Sequence, residues 1–203
     1  MVEYKKEFKE SRLKFFFNEQ YWNNVIQFDE HPDYKKIKEA LSGTKGVDFL
    51  GVLGENVYFI EVKNFKDYRI KNKERLKNIG EDLMIEVAQK VRDSLACIIS
   101  GKLNSTRHKI LWNNYLKKII NDNKVIKVVL WLETDNIPNN INNIRGKNKQ
   151  SRNTVSIATY KQKLQSKLKW LVPTKANVTI LNTGNYETND LAFKVNYLQN
   201  DKN

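Results

Sequence analysis

Cysteine occurs once in the 203 residues, as Cys97, and histidine only twice, as His31 and His108. A single thiol excludes an internal disulfide and every cysteine-rich zinc site. Two histidines leave no room for a three-histidine metal centre, and they argue against a nuclease built on a histidine base with histidine ligands. Long apolar runs are missing as well: none approaches the ~18 residues of a membrane span. The opening Met1-Val-Glu-Tyr-Lys-Lys6 alternates charges and has no apolar signal core. A soluble, cytoplasmic chain with no membrane partner is therefore expected. No internal repeat is visible, and the length fits one domain over 1–203 that needs no disulfide or metal staple.

What is abundant is positive charge. Lysine and arginine number 36 against 23 acidic residues, a formal net charge of +13, while 40% hydrophobic residues suffice for a core. Charge governs partners, not fold. A chain this basic is expected to meet a polyanion, with nucleic acid ahead of an anionic membrane.

Along the chain, Glu3 to Asn24 mixes charges with Phe8, Leu13, Phe15-Phe16-Phe17, Tyr21 and Trp22, and reads as mostly helix with buried aromatics. Val25–Phe28 reads as a short strand, and Pro32 opens a helix over 33–41 that stops at Gly43. Two apolar segments, Val47–Leu53 and Val57–Lys63, flank Gly54-Glu55 as a hairpin. A basic stretch, Asn64–Lys77, leads into a helix over 83–99, where Met84, Val87, Ala88, Val91, Leu95 and Ile98 recur at helical spacing and Gly101 is the expected C-cap. A helix over 109–121 and a strand over 125–132 follow. The Asn-rich segment 136–153, with Arg145 and Lys147, reads as a mobile basic loop, before a helix over 154–171 and a strand over 178–181. The expected organisation is an N-terminal helical part (1–43), a core (44–133), the basic loop (134–153) and a C-terminal helix and strand (154–203). Strands alternating with helices give α/β or α+β. Cys97, Trp112, Trp131 and Trp170 are expected as packing residues.

The chemistry is expected in the hairpin. Glu-x-Lys occurs three times, but Glu3-Tyr-Lys5 and Glu7-Phe-Lys9 fall in the charged N-terminal stretch, where a solvated face is the default. Glu61-Val-Lys63 instead ends an apolar strand, so alternation places Glu61 and Lys63 on one face. A two-residue Gly54-Glu55 loop pairs Leu53 with Asn56, and counting back sets Asp48 opposite Glu61. A four-residue loop gives the same pairing; a three-residue loop makes the two diagonal. Directly paired side chains share a face with Cβ atoms about 4.5–5.5 Å apart. That face also carries Leu50, Val52, Val57 and Phe59, while Val47, Phe49, Tyr58, Ile60 and Val62 take the other. A hairpin apolar on both faces belongs inside a covered sheet. Facing carboxylates there repel unless a cation intervenes, and Mg²⁺ suits oxygen ligands supplied by only one or two carboxylates. Lys63 could then orient or deprotonate an attacking water, or neutralise charge on phosphate. An exposed ion pair of small energetic weight is the bland alternative.

These residues carry a resemblance. Thr44-Lys-Gly-Val-Asp48-Phe-Leu followed by Tyr58-Phe-Ile-Glu61-Val-Lys63-Asn-Phe resembles the motif of the PD-(D/E)XK, restriction-endonuclease-like nuclease superfamily. Asn72-Lys-Glu-Arg75-Leu and Glu86-Val-Ala-Gln89-Lys90-Val-Arg92-Asp93 are similar to a bacterial branch of it. The resemblance covers about residues 44–100. It implies an αβββαβ core with a central mixed sheet flanked by helices. It also implies Mg²⁺-dependent phosphodiester hydrolysis, with Mn²⁺ substituting, Asp48 and Glu61 as metal ligands and Lys63 serving the water. DNA is favoured over RNA as the partner, and a homodimer is one expected assembly.

The sequence departs from the motif where Val47 replaces the nominal proline and Asp93 stands where some branches have tyrosine. An upstream acid often joins such sites, and Glu19, Asp29, Glu30 and Glu39 all qualify by type. Gln89 and Lys90 are candidate site support, although a solvated position is the alternative for Gln89. Lys66, Arg69, Lys71, Arg75, Arg145 and Lys147 are candidate phosphate contacts, against the alternative of merely solvated charge. Ser42-Gly-Thr-Lys-Gly46 is no phosphate loop, because its spacing is wrong and it precedes a strand. A catalytically silent nucleic-acid-binding module on the same fold is the competing expectation.

Overall fold

The computed structural model describes residues 6–66, 81–121, 125–134, 157–171, 176–189 and 191–198. Its elements are β1 (Lys6–Glu10), β2 (Leu13–Phe17), β3 (Trp22–Gln27), α1 (Pro32–Ala40), β4 (Phe49–Leu53) and β5 (Asn56–Asn64). Then come α2 (Asp82–Asn104), α3 (Lys109–Ile120), β6 (Ile126–Glu133), α4 (Ile157–Lys167), β7 (Ala176–Leu181), a 3₁₀ turn (Tyr186–Asn189) and β8 (Phe193–Tyr197). The architecture is mixed α/β. A five-stranded sheet runs β3-β4-β5-β6-β7, antiparallel through β5 and parallel from β5 to β7. A second, antiparallel sheet runs β1-β2-β8.

The hairpin forms as its turn chemistry dictates. Gly54 adopts φ +58°, Leu53 pairs with Asn56 and Phe49 with Ile60. Its apolar residues divide between two cores. Leu50, Val52, Val57 and Phe59 pack with Val87, Val91, Tyr115 and Leu164 on the helical side. Phe49, Tyr58, Ile60 and Val62 pack with Phe15, Phe17, Trp131 and Phe193 on the other, beneath the small sheet. Val47 is a correction: it precedes the regular strand, packs on the helical side, and donates its N–H to Ser94 Oγ at 3.1 Å.

The N-terminal stretch is also a correction, being strands and not helix. Leu13, Phe15 and Phe17 are buried while Lys14 and Phe16 are only half-buried, an alternation that three consecutive phenylalanines hide. Ser11 and Arg12, both at positive φ, make the tight turn that pairs Glu10 with Leu13. The expected short strand becomes the longer β3, with a register shift between Asn23 and Ile26 where Asn24 takes φ +53°. β8 had no counterpart in the reading of the sequence.

Helix α1 begins at Pro32 as expected, and His31 caps it by accepting the Asp33 N–H at 3.2 Å. Helix α2 runs past Gly101, which is an interior residue and not the cap. A Cβ there would lie 2.6 Å from both Cγ and Nε1 of Trp112. That indole cannot yield, because it is buried and donates to Asp33 Oδ2 at 2.7 Å. Gly101→Ala is therefore expected to cost about 2 kcal/mol through overpacking, despite the better helix propensity of alanine. Urea unfolding would check it, and an unchanged midpoint would contradict the contact.

Asp33 is the acceptor for a clamp between α1 and α3. Its Oδ2 accepts from Trp112, from Ser105 Oγ at 2.8 Å, and lies 3.1 Å from His108 Nδ1. Trp112, Trp131 and Cys97 are core as expected, whereas Trp170 is 50% exposed, a correction. No helix among the described residues is long and apolar enough to cross a membrane.

Candidate active site

The site sits where β3, β4 and β5 run together under α2. Asp48 immediately precedes β4, and its carbonyl accepts from the Phe28 N–H at 2.8 Å, which closes the end of β3 onto it. Its carboxylate is fixed from the other side, because Oδ2 accepts the Val62 N–H at 2.6 Å. Glu61 is fully buried within β5, and Lys63 follows two residues on, as the strand period requires. The hairpin register ends with Phe49 opposite Ile60, and Asp48 follows directly on, with its carboxylate on the Val62 N–H next to Glu61.

Helix α2 covers this patch. Val87 and Val91 enter the core, while Glu86 and Lys90, one turn apart, meet the strand side chains. Lys90 Nζ donates to Glu61 Oε1 at 2.7 Å and stands 3.5 Å from Asp48 Oδ1. Lys63 Nζ lies 3.1 Å from Glu61 Oε1 and donates to Glu86 Oε1 at 2.9 Å. Asp48, Glu61, Lys63 and Lys90 therefore form one network. Gln89 is half-buried at its rim and accepts from Lys45 Nζ at 3.4 Å, while Asp93 Oδ2 accepts the Lys45 N–H at 3.0 Å.

Among the upstream acids, Asp29 joins the site. It lies at the end of β3, and one carboxylate oxygen each from Glu10, Asp29 and Asp48 lie within 4.8 Å of one another. Glu19, Glu30 and Glu39 are exposed, and Glu30 pairs with Lys35. Glu10 and Glu86 were missed by the reading of the sequence. Glu10 sits at the end of a strand mistaken for helix, and only the β1–β2 register could have found it. Glu86 could have been found from its place one turn before Lys90.

Burial dominates the electrostatics. It pushes the Glu61 carboxyl up to about 8, with the Asp48 charge adding to the rise and Lys90 and Lys63 opposing it. Asp48 is raised by burial, against Lys90. Asp29 is raised to about 6 by burial and by Asp48 and Glu10. Burial works against the Lys63 and Lys90 charges, but the surrounding carboxylates, Glu61 first, outweigh it and keep both ammonium groups above their ordinary range. Burial also opposes the Glu86 charge, but the hydrogen bond from Lys63 and the Lys63, Lys90 and Lys45 charges together outweigh it, holding that carboxyl below its ordinary value.

Among the described residues, two buried oxygens, Glu61 Oε2 and Asp29 Oδ1, have no hydrogen-bond partner. Unpaired buried carboxylate oxygens are costly, and an all-oxygen donor set beside them suits a hard divalent cation. Glu10, Asp29 and Asp48 bring their oxygens close enough together to hold such an ion, with Glu61 beside Asp48.

The candidate phosphate contacts are placed less fully. Lys66 Nζ lies 4.5 Å above the Tyr197 ring and 3.3 Å from its hydroxyl, tying the end of β5 to β8. Arg69, Lys71, Arg75, Arg145 and Lys147 lie outside the described residues, as do the basic run beyond Lys66 and the Asn-rich segment 136–153.

No family model matches the chain, and no solved structure matches it. It is similar to a cysteine–tRNA ligase of Neisseria meningitidis serogroup A, at 27% identity over 154 residues. The alignment takes in 63% of this chain but spans only 21% of the length of that ligase.

Proposed function

We propose that the chain is a metal-dependent nuclease of PD-(D/E)XK type that hydrolyses phosphodiester bonds of nucleic acid, DNA in preference. The observation that carries this reading is the convergence of buried Asp48 and Glu61 with Lys63 in a chain of net charge +13. The strand order supports it in part. β3, β4 and β5 form an antiparallel meander, and β6 returns parallel to β5 after α2 and α3. Helix α1, however, falls between β3 and β4 and not before the meander.

When bound, Mg²⁺ polarises the scissile phosphate and acidifies the attacking water. Asp48, pinned by the Val62 N–H, and Glu61, pinned by burial, would hold the ion. Lys63 stays an ammonium between Glu61 and Glu86, so it orients the water and offsets negative charge on the phosphate instead of taking a proton. Basic residues bring the polyanion to this acidic patch.

Cleavage of DNA and RNA, tRNA included because the aligned ligase is named for it, would be compared in Mg²⁺ and in EDTA. Cleavage is expected only with Mg²⁺. Lys63→Ala is expected to slow it by roughly 10²-fold or more. Undiminished activity in that variant would remove Lys63 from the chemistry, and no cleavage of any substrate would favour the second reading.

That second reading is a silent nucleic-acid-binding module. One observation favours it: Lys63 and Lys90 already ion-pair with the carboxylates that would hold the metal.

A further inference from the structure

We infer that Lys90 is the resident counter-cation of the Asp48–Glu61 pair, standing in the place of the divalent ion and withdrawing when that ion binds. The inference rests on the metal-dependent reading above and adds what happens to Lys90.

Two observations carry it. First, the Lys90 ammonium contacts the same two carboxylates that would hold the metal, 2.7 Å from Glu61 Oε1 and 3.5 Å from Asp48 Oδ1. A divalent ion on those oxygens would meet that ammonium at close range among largely buried side chains. The repulsion there is several kcal/mol even at an effective dielectric constant of about 20. Both cations cannot hold the pair at once.

Second, Lys90 has another acceptor within reach. Glu86 lies one turn back on the same helix, at the spacing where a lysine and a carboxylate meet, and its side chain is partly exposed. The long, rotatable lysine stem can change acceptor without moving the helix. Lys63 also touches Glu61 Oε1, at 3.1 Å, but its closer contact is Glu86 Oε1 at 2.9 Å, a partner it keeps when the ion takes Glu61.

The arrangement has a definite consequence. The carboxylate pair is neutralised before any metal arrives, so the fold does not depend on the ion, and metal affinity is lowered by the competition. A ligand shifts an equilibrium only by its differential affinity for the two states, so ion occupancy and Lys90 position are linked.

Calorimetric titration of the full chain with Mn²⁺ tests this directly, comparing wild type with Lys90→Met. Lys90→Met is expected to bind Mn²⁺ on the order of tenfold more tightly or better, and adding Asp48→Asn is expected to cancel the gain. Equal or weaker binding by Lys90→Met would overturn the displacement while leaving the metal site standing. No Mn²⁺ binding by either protein would overturn both. Should Lys90→Met fail to fold, wild-type crystals soaked in Mn²⁺ decide the matter. An anomalous peak touching Asp48 and Glu61, with Lys90 Nζ beyond hydrogen-bond distance of Glu61, supports the exchange. A peak with Lys90 still seated on Glu61 overturns it.

Discussion

Glu61→Gln is expected to lower Mg²⁺-dependent cleavage by roughly 10³-fold, about 4 kcal/mol of transition-state stabilisation. Glutamine keeps the volume of the side chain and can still accept from Lys90, but it supplies no charge to a hard cation. The loss should therefore appear in turnover while the melting temperature stays within a few degrees of wild type. That split separates a functional role from a structural one. A variant that melts normally and cleaves normally would remove Glu61 from the site, whatever its burial.

Trp112→Ala carries the largest expected effect on stability, about 3–5 kcal/mol. The indole fills a fully buried position between α1, α2 and α3, packs against Phe28 and His31, and supplies one of the donors that satisfy Asp33. Truncation thus opens a cavity and strips a hydrogen bond from a carboxylate in one step. Asp33 is held below its ordinary value because the Trp112, Ser105 and His108 hydrogen bonds outweigh the effect of burial. A depressed folded-state carboxyl stabilises above its unfolded pKa and stops doing so as the pH falls through the folded one. Part of the Trp112 effect should accordingly shrink in acid. Thermal melts at neutral and low pH check both points, and a melting temperature within about 2 °C of wild type would contradict this packing.

The legible parts of the molecule are those where one local rule decides the outcome. Gly54 sets a turn, the turn sets the Leu53–Asn56 register, and the register brings Asp48 to Glu61. Strand period then adds Lys63, and helical period exposes the α2 core stripe. The rest depended on partners distant in sequence. Glu10 joins Asp29 and Asp48 only once β1 is a strand, and the charge-rich Lys6–Glu10 segment carries no apolar alternation of its own. Asp29 was one acid among equals until β3 ended beside Asp48. Lys90 was legible by type and place on its helix, but not its seat on the carboxylates. Gly101 reads as a cap from sequence because nothing local announces the indole that needs the space.

The small sheet has a kinetic meaning. β2 pairs on one side with β1, its neighbour in sequence, and on the other with β8, from Leu13 opposite Tyr197 to Phe17 opposite Phe193. Almost the whole chain separates those partners. On the ribosome, the apolar face of Leu13, Phe15 and Phe17 emerges well before Phe193 and Val195 and must wait for them. Closing so large a loop is entropically expensive and slow, and an unpaired apolar strand is an invitation to misassociation while it lasts. Order on that side of the central sheet is thus a late event, whereas the helical side, with α2 and α3 adjacent in sequence, can consolidate first.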